Sequence, residues 1–446
     1  MRRVIIAGTN SGCGKTTVTC AVLAALKARG VRVSAFKCGP DYIDPMFHRE
    51  VIGIPSYNLD SFFCNDDTLK YLLHEHGAES DISVTEGVMG YYDGVNGRGS
   101  AYSVSQLTDT PAVIVIDCKG MSDSIGAVMK GFLEYRTPSG IAGFIFNHLP
   151  EHLAPFAEKL CRELNTGYFG YLPKTGITIG SRHLGLVTAA EISDIKERLN
   201  VLGELAERYI DIDGITRIPE RGYPFFSVPV INIPEMKKSP VIAAAKDRAF
   251  CFIYDDNISL LERLGCKIRY FSPLDDTAVP EDAAGLILCG GYPELYAKKL
   301  SGNRKMLEDI RSKICSGMPT IAECGGFMYL HDTFTDMENN EYRGVGIIQG
   351  KAYHTDRLRR LGYVTLTAKY DNLLCKAGER FPAHEFHYFD STDCGNGMSA
   401  VKTDGRQWDC AHVNEHLYAG FPHLYFYAAP RTAENYVREC IRWQDR

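Results

Sequence analysis

Short runs rich in Val, Ile, Ala and Phe recur along the first half of this chain, at 4–7, 31–36, 82–85, 112–116 and 141–146. Segments with helical spacing separate them, as at 18–29 and 125–135. Runs this short that are apolar on both faces suit buried strands, and their alternation with helices predicts a parallel sheet covered on both sides. Between Asp211 and Pro240 the pattern lapses, and Pro219, Pro224, Pro229, Pro234 and Pro240 punctuate the chain. Prolines this dense fit neither a helix interior nor a central strand, which predicts an extended linker. An edge strand over 228–233 is the alternative. Beyond it, 241–245, 267–271 and 285–288 read as strands and 258–264 as a helix. The expected fold class is α/β, with two doubly wound α/β domains at 1–210 and 240–446 and a linker at 211–239.

Length and charge narrow the function. At 446 residues the chain is too long for one ordinary core, in keeping with two domains. A net charge of -6 argues against nucleic acid as the main partner, since phosphate backbones need a basic face. The 15 cysteines include no Cys-x-x-Cys pair, so neither a zinc site nor a disulfide framework is supported. Scattered cysteines fit a reducing cytosol, where most serve as small core hydrophobes. Too few apolar residues follow Arg2-Arg3 for a signal peptide, and no apolar run approaches a membrane span. The expectation is a cytoplasmic protein without a membrane partner.

The stretch Gly8-Thr9-Asn10-Ser11-Gly12-Cys13-Gly14-Lys15-Thr16-Thr17 lies between the first strand and the first helix, the context a phosphate-binding loop requires. Its glycines let backbone N–H groups turn toward one anion, and the helix N-terminus adds its positive dipole end. Lys15 would reach the terminal phosphates of ATP and the Thr16 hydroxyl would sit on Mg²⁺. Thr9, Gly12, Gly14, Lys15, Thr16 and Thr17 are therefore nucleotide-binding candidates, although Thr9 stands where the consensus has glycine. Ligands of parallel sheets bind beyond the carboxyl ends of the strands. There the chain places Lys37-Cys38-Gly39-Pro40-Asp41-Tyr42-Ile43-Asp44-Pro45, then Glu86-Gly87-Val88-Met89-Gly90-Tyr91-Tyr92-Asp93-Gly94. Acids clustered around a phosphate loop suit Mg²⁺, which takes hard oxygen ligands. Taken singly, Asp41, Asp44 and Asp93 are each ordinary turn residues. Asn147, after the last of these runs, is a base-reading candidate or a turn residue.

Two sites stand out in the second half. Cys289-Gly290-Gly291-Tyr292-Pro293-Glu294 is a glycine turn able to present backbone N–H groups. Thr320-Ile321-Ala322-Glu323-Cys324-Gly325-Gly326-Phe327-Met328 reads as strand, tight turn and helix with a cysteine at the turn. That is a nucleophile elbow with cysteine in place of serine. A thiol at a helix N-terminus ionises more readily, and the glycines after it let a backbone N–H face a developing oxyanion. A cysteine nucleophile wants a histidine base, for which His423 is the best candidate.

These residues resemble a known family. The Lys37–Pro45 and Glu86–Gly94 motifs, Asn58-Leu59-Asp60 and Arg182-His183-Leu184-Gly185-Leu186 are similar to signatures of the cobyrinic acid a,c-diamide synthases. So are Ala322-Glu323-Cys324-Gly325-Gly326-Phe327-Met328-Tyr329-Leu330 and His384-Glu385-Phe386-His387-Tyr388. The resemblance covers the whole chain. It implies a dethiobiotin synthetase-like P-loop domain, whose loop has the same variant form at Thr9, followed by a class I-type glutamine amidotransferase domain. It further implies Thr16, Asp41 and Glu86 near Mg²⁺, Lys37 and Asn147 near ATP, and Asp44 near the reacting carboxylate. Gly290, Gly291 and Gly325 would serve the oxyanion. Cys324 would attack glutamine and release ammonia through a thioester, with His423 as base. The substrate implied is cobyrinic acid, its a and c acetates activated by ATP as acyl phosphates and converted to amides; a homodimer is an option. Ordinary class I amidotransferases carry Glu two residues after the histidine, where this chain has Tyr425; the cobyrinic acid branch generally lacks that Glu too. This leaves open what orients His423. His384 and His387, three apart and without an evident third ligand, read as structural or domain-contact residues. Hydrogenobyrinic acid and nickel sirohydrochlorin are alternative substrates. An ATP-dependent switch that forms no amide is the alternative of another class, disfavoured by the intact Cys324 elbow.

Overall fold

The structure, a computed structural model, describes residues 2–177, 195–218, 231–234, 236 and 238–446. The chain divides into two compact units, Met1–Ile231 and Asn232–Arg446. Among the described residues no helix is long and apolar enough to cross a membrane.

The first unit is built on a seven-stranded parallel sheet. Its strands run in the order Ser56–Leu59, Val33–Cys38, Ile82–Glu86, Arg2–Gly8, Ala112–Asp117, Ile141–Asn147 and Gly167–Leu172. The central strands are buried on both faces, which is why their sequences show apolar runs without alternation. Val33–Cys38, Ile82–Glu86 and Arg2–Gly8 are immediate neighbours, with Lys37 opposite Glu86 and Ile6 opposite Glu86 in register. The three loops beyond their carboxyl ends are therefore brought together. Two strands escape the sequence pattern, Ser56–Leu59 because it is short and polar and Gly167–Leu172 because it is interrupted by glycine. Ile82–Glu86 is thus the fourth strand and Ile141–Asn147 the sixth.

The stretch expected as linker begins folded. Asp211 accepts a hydrogen bond from the Gly214 N–H at 2.7 Å and caps the helix Ile212–Thr216. Ile212 and Ile215 are buried with Val4, Ile6, Val113 and Leu202 in the core of the first unit. The Arg182–Leu186 motif lies outside the described residues, as do residues 228–230 of the alternative edge strand.

The second unit has a six-stranded sheet in the order Lys267–Phe271, Val241–Ala245, Ala283–Leu288, Thr320–Glu323, Leu417–Gly420 and His412–Val413. It is parallel except for the last pair. Two further sheets, of four and five strands, were not expected from the doubly wound pattern. The five-stranded one is antiparallel and ends in Arg380–His387 paired with the two-residue strand His423–Leu424. It places His423 directly opposite His384.

Candidate functional site

In the first unit the loop after Arg2–Gly8 turns through two left-handed glycines, Gly12 at φ 82° and Gly14 at φ 92°. Helix Lys15–Ala28 starts immediately after Gly14, so Lys15, Thr16 and Thr17 occupy its first turn, all half-buried. A Cβ on Gly14 would lie 2.0 Å from Asn147 Nδ2. That amide donates to the Cys13 carbonyl at 3.0 Å. Asn147 therefore braces the loop, and its amide N–H is directed at backbone rather than outward. Thr9 donates its hydroxyl to the Asn10 side chain at 2.9 Å. The segment after Glu86 is fastened to the same strand, with Gly87 N–H donating to Ile6 O and Tyr91 N–H to Gly8 O, each at 2.8 Å. Asp93 accepts the Gly90 N–H at 2.9 Å, the bond of a turn residue.

A cluster of charges lies beside the loop. Thr16 Oγ1 donates to Glu86 Oε1 at 2.6 Å. Lys37 Nζ donates to the same oxygen at 2.9 Å and lies 2.5 Å from Asp44 Oδ2 and 3.9 Å from Asp41 Oδ2. Asp41 Oδ1 accepts the Ile43 N–H at 2.8 Å at the start of the helix Ile43–Phe47, which leaves Oδ2 facing the cluster. Asn58 ties down this loop by donating to Gly39 O at 2.9 Å and Asp41 O at 2.7 Å. Buried His48 adds an imidazole whose Nε2 is 3.6 Å from Glu86 Oε2. Neither of those two atoms has a hydrogen-bond partner among the described residues.

One ammonium thus faces three carboxyl groups. Burial works against charge on Lys37, but Asp44, Glu86 and Asp41 outweigh it and hold its pKa well above the ordinary value. Burial and the neighbouring Glu86 push Asp44 up to about 8. Glu86 is also pushed up by burial, yet Lys37, His48 and Thr16 prevail and hold it well below the carboxylate range. This donor set fits Mg²⁺, which takes one or two carboxylates and completes its shell with water and phosphate. Such a site needs no protein cage, and among the described residues no group of three or more His, Cys, Asp or Glu forms one.

In the second unit, Thr320–Glu323 ends at Cys324, which sits at φ 48°, ψ −103° before the short helix Gly325–Tyr329. A positive φ on a non-glycine residue is a strained conformation typical of functional turns. Three glycines at this turn and the neighbouring one permit close approach of the chain. A Cβ on Gly290 would lie 2.6 Å from His423 Cε1, and one on Gly325 would lie 3.0 Å from Gly291 N. One on Gly291 would meet Ala249 O at 2.2 Å. The turn at 289–294 is a two-residue strand, Gly290–Gly291, followed by a 3₁₀ turn. Cys324 and His423 are both buried. Burial works against charge on His423, but the negative charges of Cys324 and then Glu323 outweigh it and raise its pKa to about 10.

Three side chains in these sites were missed by sequence reasoning. Glu323 Oε2 is 3.6 Å from His423 Nδ1, and its Oε1 accepts the Leu424 N–H at 3.2 Å. Its only sequence signal was its place immediately before Cys324. Asp256 accepts a hydrogen bond from the Tyr425 hydroxyl at 2.7 Å. His48 carried no sequence signal at all. Of the paired histidines, His387 belongs to a buried network. Its Nε2 is 3.0 Å from Glu385 Oε2, and its ring stacks on Phe421 with centroids 4.0 Å apart. His384 faces His423, and burial holds its pKa down at about 3.

Comparison with known proteins divides the chain in the same way. Residues 4–184 match the CobQ/CobB/MinD/ParA nucleotide binding domain, and residues 241–430 match the CobB/CobQ-like glutamine amidotransferase domain. A cobyrinate a,c-diamide synthase of Caldanaerobacter subterraneus subsp. tengcongensis is 36% identical over 447 residues, covering 98% of each chain. One from Priestia megaterium is 36% identical over 458 residues, covering 98% of this chain and 97% of its own. One from Thermoplasma volcanium is 38% identical over 451 residues, covering 99% of this chain and 98% of its own.

Proposed function

The chain belongs to the cobyrinate a,c-diamide synthase family, and on that premise we propose that it uses ATP and glutamine to convert the a and c acetate carboxylates of cobyrinic acid into amides. It is a glutamine-dependent amidating enzyme of cobalamin biosynthesis. A cytoplasmic location is part of the proposal.

Nitrogen is supplied in the second unit. The Cys324 thiolate attacks the side-chain amide carbon of glutamine, and N–H groups near Gly290, Gly291 and Gly325 receive the charge that develops on oxygen. His423 as imidazolium gives its proton to the departing ammonia, leaving a glutamyl thioester that water hydrolyses to glutamate. The observation that carries this reading is the positive-φ Cys324 elbow, with His423 interacting with Cys324 and Gly290 closed against the imidazole.

Activation is assigned to the first unit. A carboxylate loses hydroxide poorly and phosphate well, so transfer of the terminal phosphate of ATP to a substrate carboxylate oxygen prepares it for ammonia. Ammonia then attacks the acyl carbon and phosphate leaves. Backbone N–H groups around Gly12 and Gly14, with Lys15, Thr16 and Thr17, would hold the phosphates. Thr16, Glu86 and Asp41 would hold Mg²⁺, which offsets phosphate charge when bound. Lys37 keeps Asp44 and Glu86 in place, and Asp44, raised by burial and Glu86, can hold a proton toward the substrate carboxylate.

Mass spectrometry of products from Cys324→Ala tests the reading. The variant loses amide formation from glutamine by more than about 100-fold. It keeps amidation of cobyrinic acid supported by ammonium at alkaline pH. Ready use of glutamine by Cys324→Ala removes the nucleophile assignment. Amidation of a sirohydrochlorin in preference to cobyrinic acid replaces the substrate.

A further inference from the structure

Tyr425 occupies the position where an ordinary class I amidotransferase carries the acid that orients its histidine, and its hydroxyl is bonded to Asp256 at 2.7 Å. Another acid stands closer to the imidazole. We infer that Glu323, the residue immediately before the nucleophile, is the positioning residue that orients His423 and stabilises its charged form. This deepens the proposed role of Cys324 and His423 and rests on it.

The chain path makes the contact. Glu323 is the last residue of Thr320–Glu323, which pairs in parallel with Leu417–Gly420, and His423 begins the strand reached three residues later. Glu323 is buried, so its carboxylate must find partners inside the unit. One oxygen accepts the N–H of Leu424 at 3.2 Å and is thereby fixed to the backbone that carries the imidazole. The other is 3.6 Å from His423 Nδ1, an ion-pair separation. Catalytic contacts of this kind are commonly long before substrate engages and tighten afterwards. Gly290 closes on the same edge of the ring, where a Cβ would come within 2.6 Å of Cε1 and 3.4 Å of Nδ1. Backbone and carboxylate thus meet the imidazole at its Nδ1–Cε1 edge and restrict its rotation.

The electrostatics agree. The titratable groups that face His423 are Cys324, Glu323 and, on the paired strand, His384. Burial keeps His384 neutral, so it contributes no opposing charge at neutral pH. When the thiol passes its proton to His423, the imidazolium is held between the thiolate and the Glu323 carboxylate. Placing the acid before the nucleophile rather than after the base frees the position of Tyr425, whose ring packs edge-on against Tyr254.

The test is the pH profile of glutamine hydrolysis by the full chain. Glu323→Gln keeps the shape and an acceptor for the Leu424 N–H but removes the charge. It lowers kcat/KM about 100-fold, mainly in kcat. Its alkaline limb also moves to lower pH, because an imidazolium without its carboxylate deprotonates sooner. Glu323→Asp recovers part of the rate, and Tyr425→Phe leaves the alkaline limb in place. Ammonium-supported amidation stays unchanged in all three, which reports an intact first unit, and an unshifted thermal transition of the second unit reports that its fold is kept. Wild-type kcat and an unmoved alkaline limb in Glu323→Gln, with Cys324→Ala inactive, overturn the inference alone. So does an alkaline limb that moves in Tyr425→Phe but not in Glu323→Gln. Glutamine hydrolysis by Cys324→Ala instead overturns the reading on which the inference rests.

Discussion

Burial lowers the pKa of both His331 and His423, but the neighbours of His423 outweigh it, so the two shift in opposite directions, and each direction is a statement about stability. His331 has no acid close enough to offset burial, which lowers its pKa to about 4 even though its Nδ1 is 2.9 Å from Phe327 O. A histidine depressed on folding contributes its full stability above its ordinary value of 6.5 and loses it as pH falls toward the folded value. His331→Gln should therefore be less stable than wild type at pH 7, yet lose less further stability between pH 7 and 5. Urea midpoints at the two pH values check this. His423 is the reverse case. Raised to about 10, it contributes fully below 6.5, and the contribution fades as pH rises to 10. Cys324→Ala removes the largest raising cause, so denaturation midpoints of this variant should fall less between pH 7 and 10 than those of wild type. At this scale the sequence pointed to candidate reactive groups but not to their buried partners. Cys324, Lys37, Glu86 and Asp44 announced themselves by lying at or just beyond the carboxyl ends of apolar runs. Glu323 and His48 make their contacts with groups 100 and 38 residues away, His423 and Glu86, which spacing along the chain does not reveal.

The element on which the proposed nucleotide site rests is the turn from Arg2–Gly8 into Lys15–Ala28, and two glycines at opposite ends of that helix separate its two requirements. Gly14 has φ 92°, and a Cβ there would run into Asn147. Gly30 has φ 73° and would meet nothing within 4 Å. Both Gly→Ala changes carry the strain of a left-handed residue, about 1 kcal/mol each. Gly14→Ala also displaces the Asn147 amide from the Cys13 carbonyl. Calorimetric titration with Mg-ATP should show binding weakened more than about 30-fold in Gly14→Ala and left within about twofold in Gly30→Ala, although both lose stability. This turn was legible because one short stretch contains strand, glycines and helix. The Asn58 clamp was not, because Ser56–Leu59 is too short and polar to read as a strand. Its asparagine serves the neighbouring loop rather than its own sheet. The five-stranded sheet carrying His423 was hidden for a related reason. Its strands are exposed in part, as at Leu361 and Phe386, and pair across long separations, so no apolar run marks them.

On the scale of the whole chain, each unit has its own buried core. Val4, Ile6, Val115, Leu202 and Ile215 belong to one, and Leu288, Phe327, Phe334 and Phe421 to the other. Chains with two such cores commonly depart from a single two-state transition, and each ligand stabilises the core whose residues hold it. Mg-ATP should therefore raise the transition of the first unit. A chloroketone analogue of glutamine, attached to Cys324, should raise that of the second. At 100 times its dissociation constant a ligand adds about 2.7 kcal/mol. For units of roughly 200 residues that is a shift of about 5–10 °C. Differential scanning calorimetry of the full chain reads both. Lys15→Ala should abolish the shift caused by Mg-ATP and keep the other, and Cys324→Ala should do the reverse. Because each variant silences one ligand and spares the other, neither result can be attributed to general misfolding. If either ligand moved both transitions equally, nucleotide and glutamine binding would be energetically linked, and the assignment of each ligand to its own core would fail.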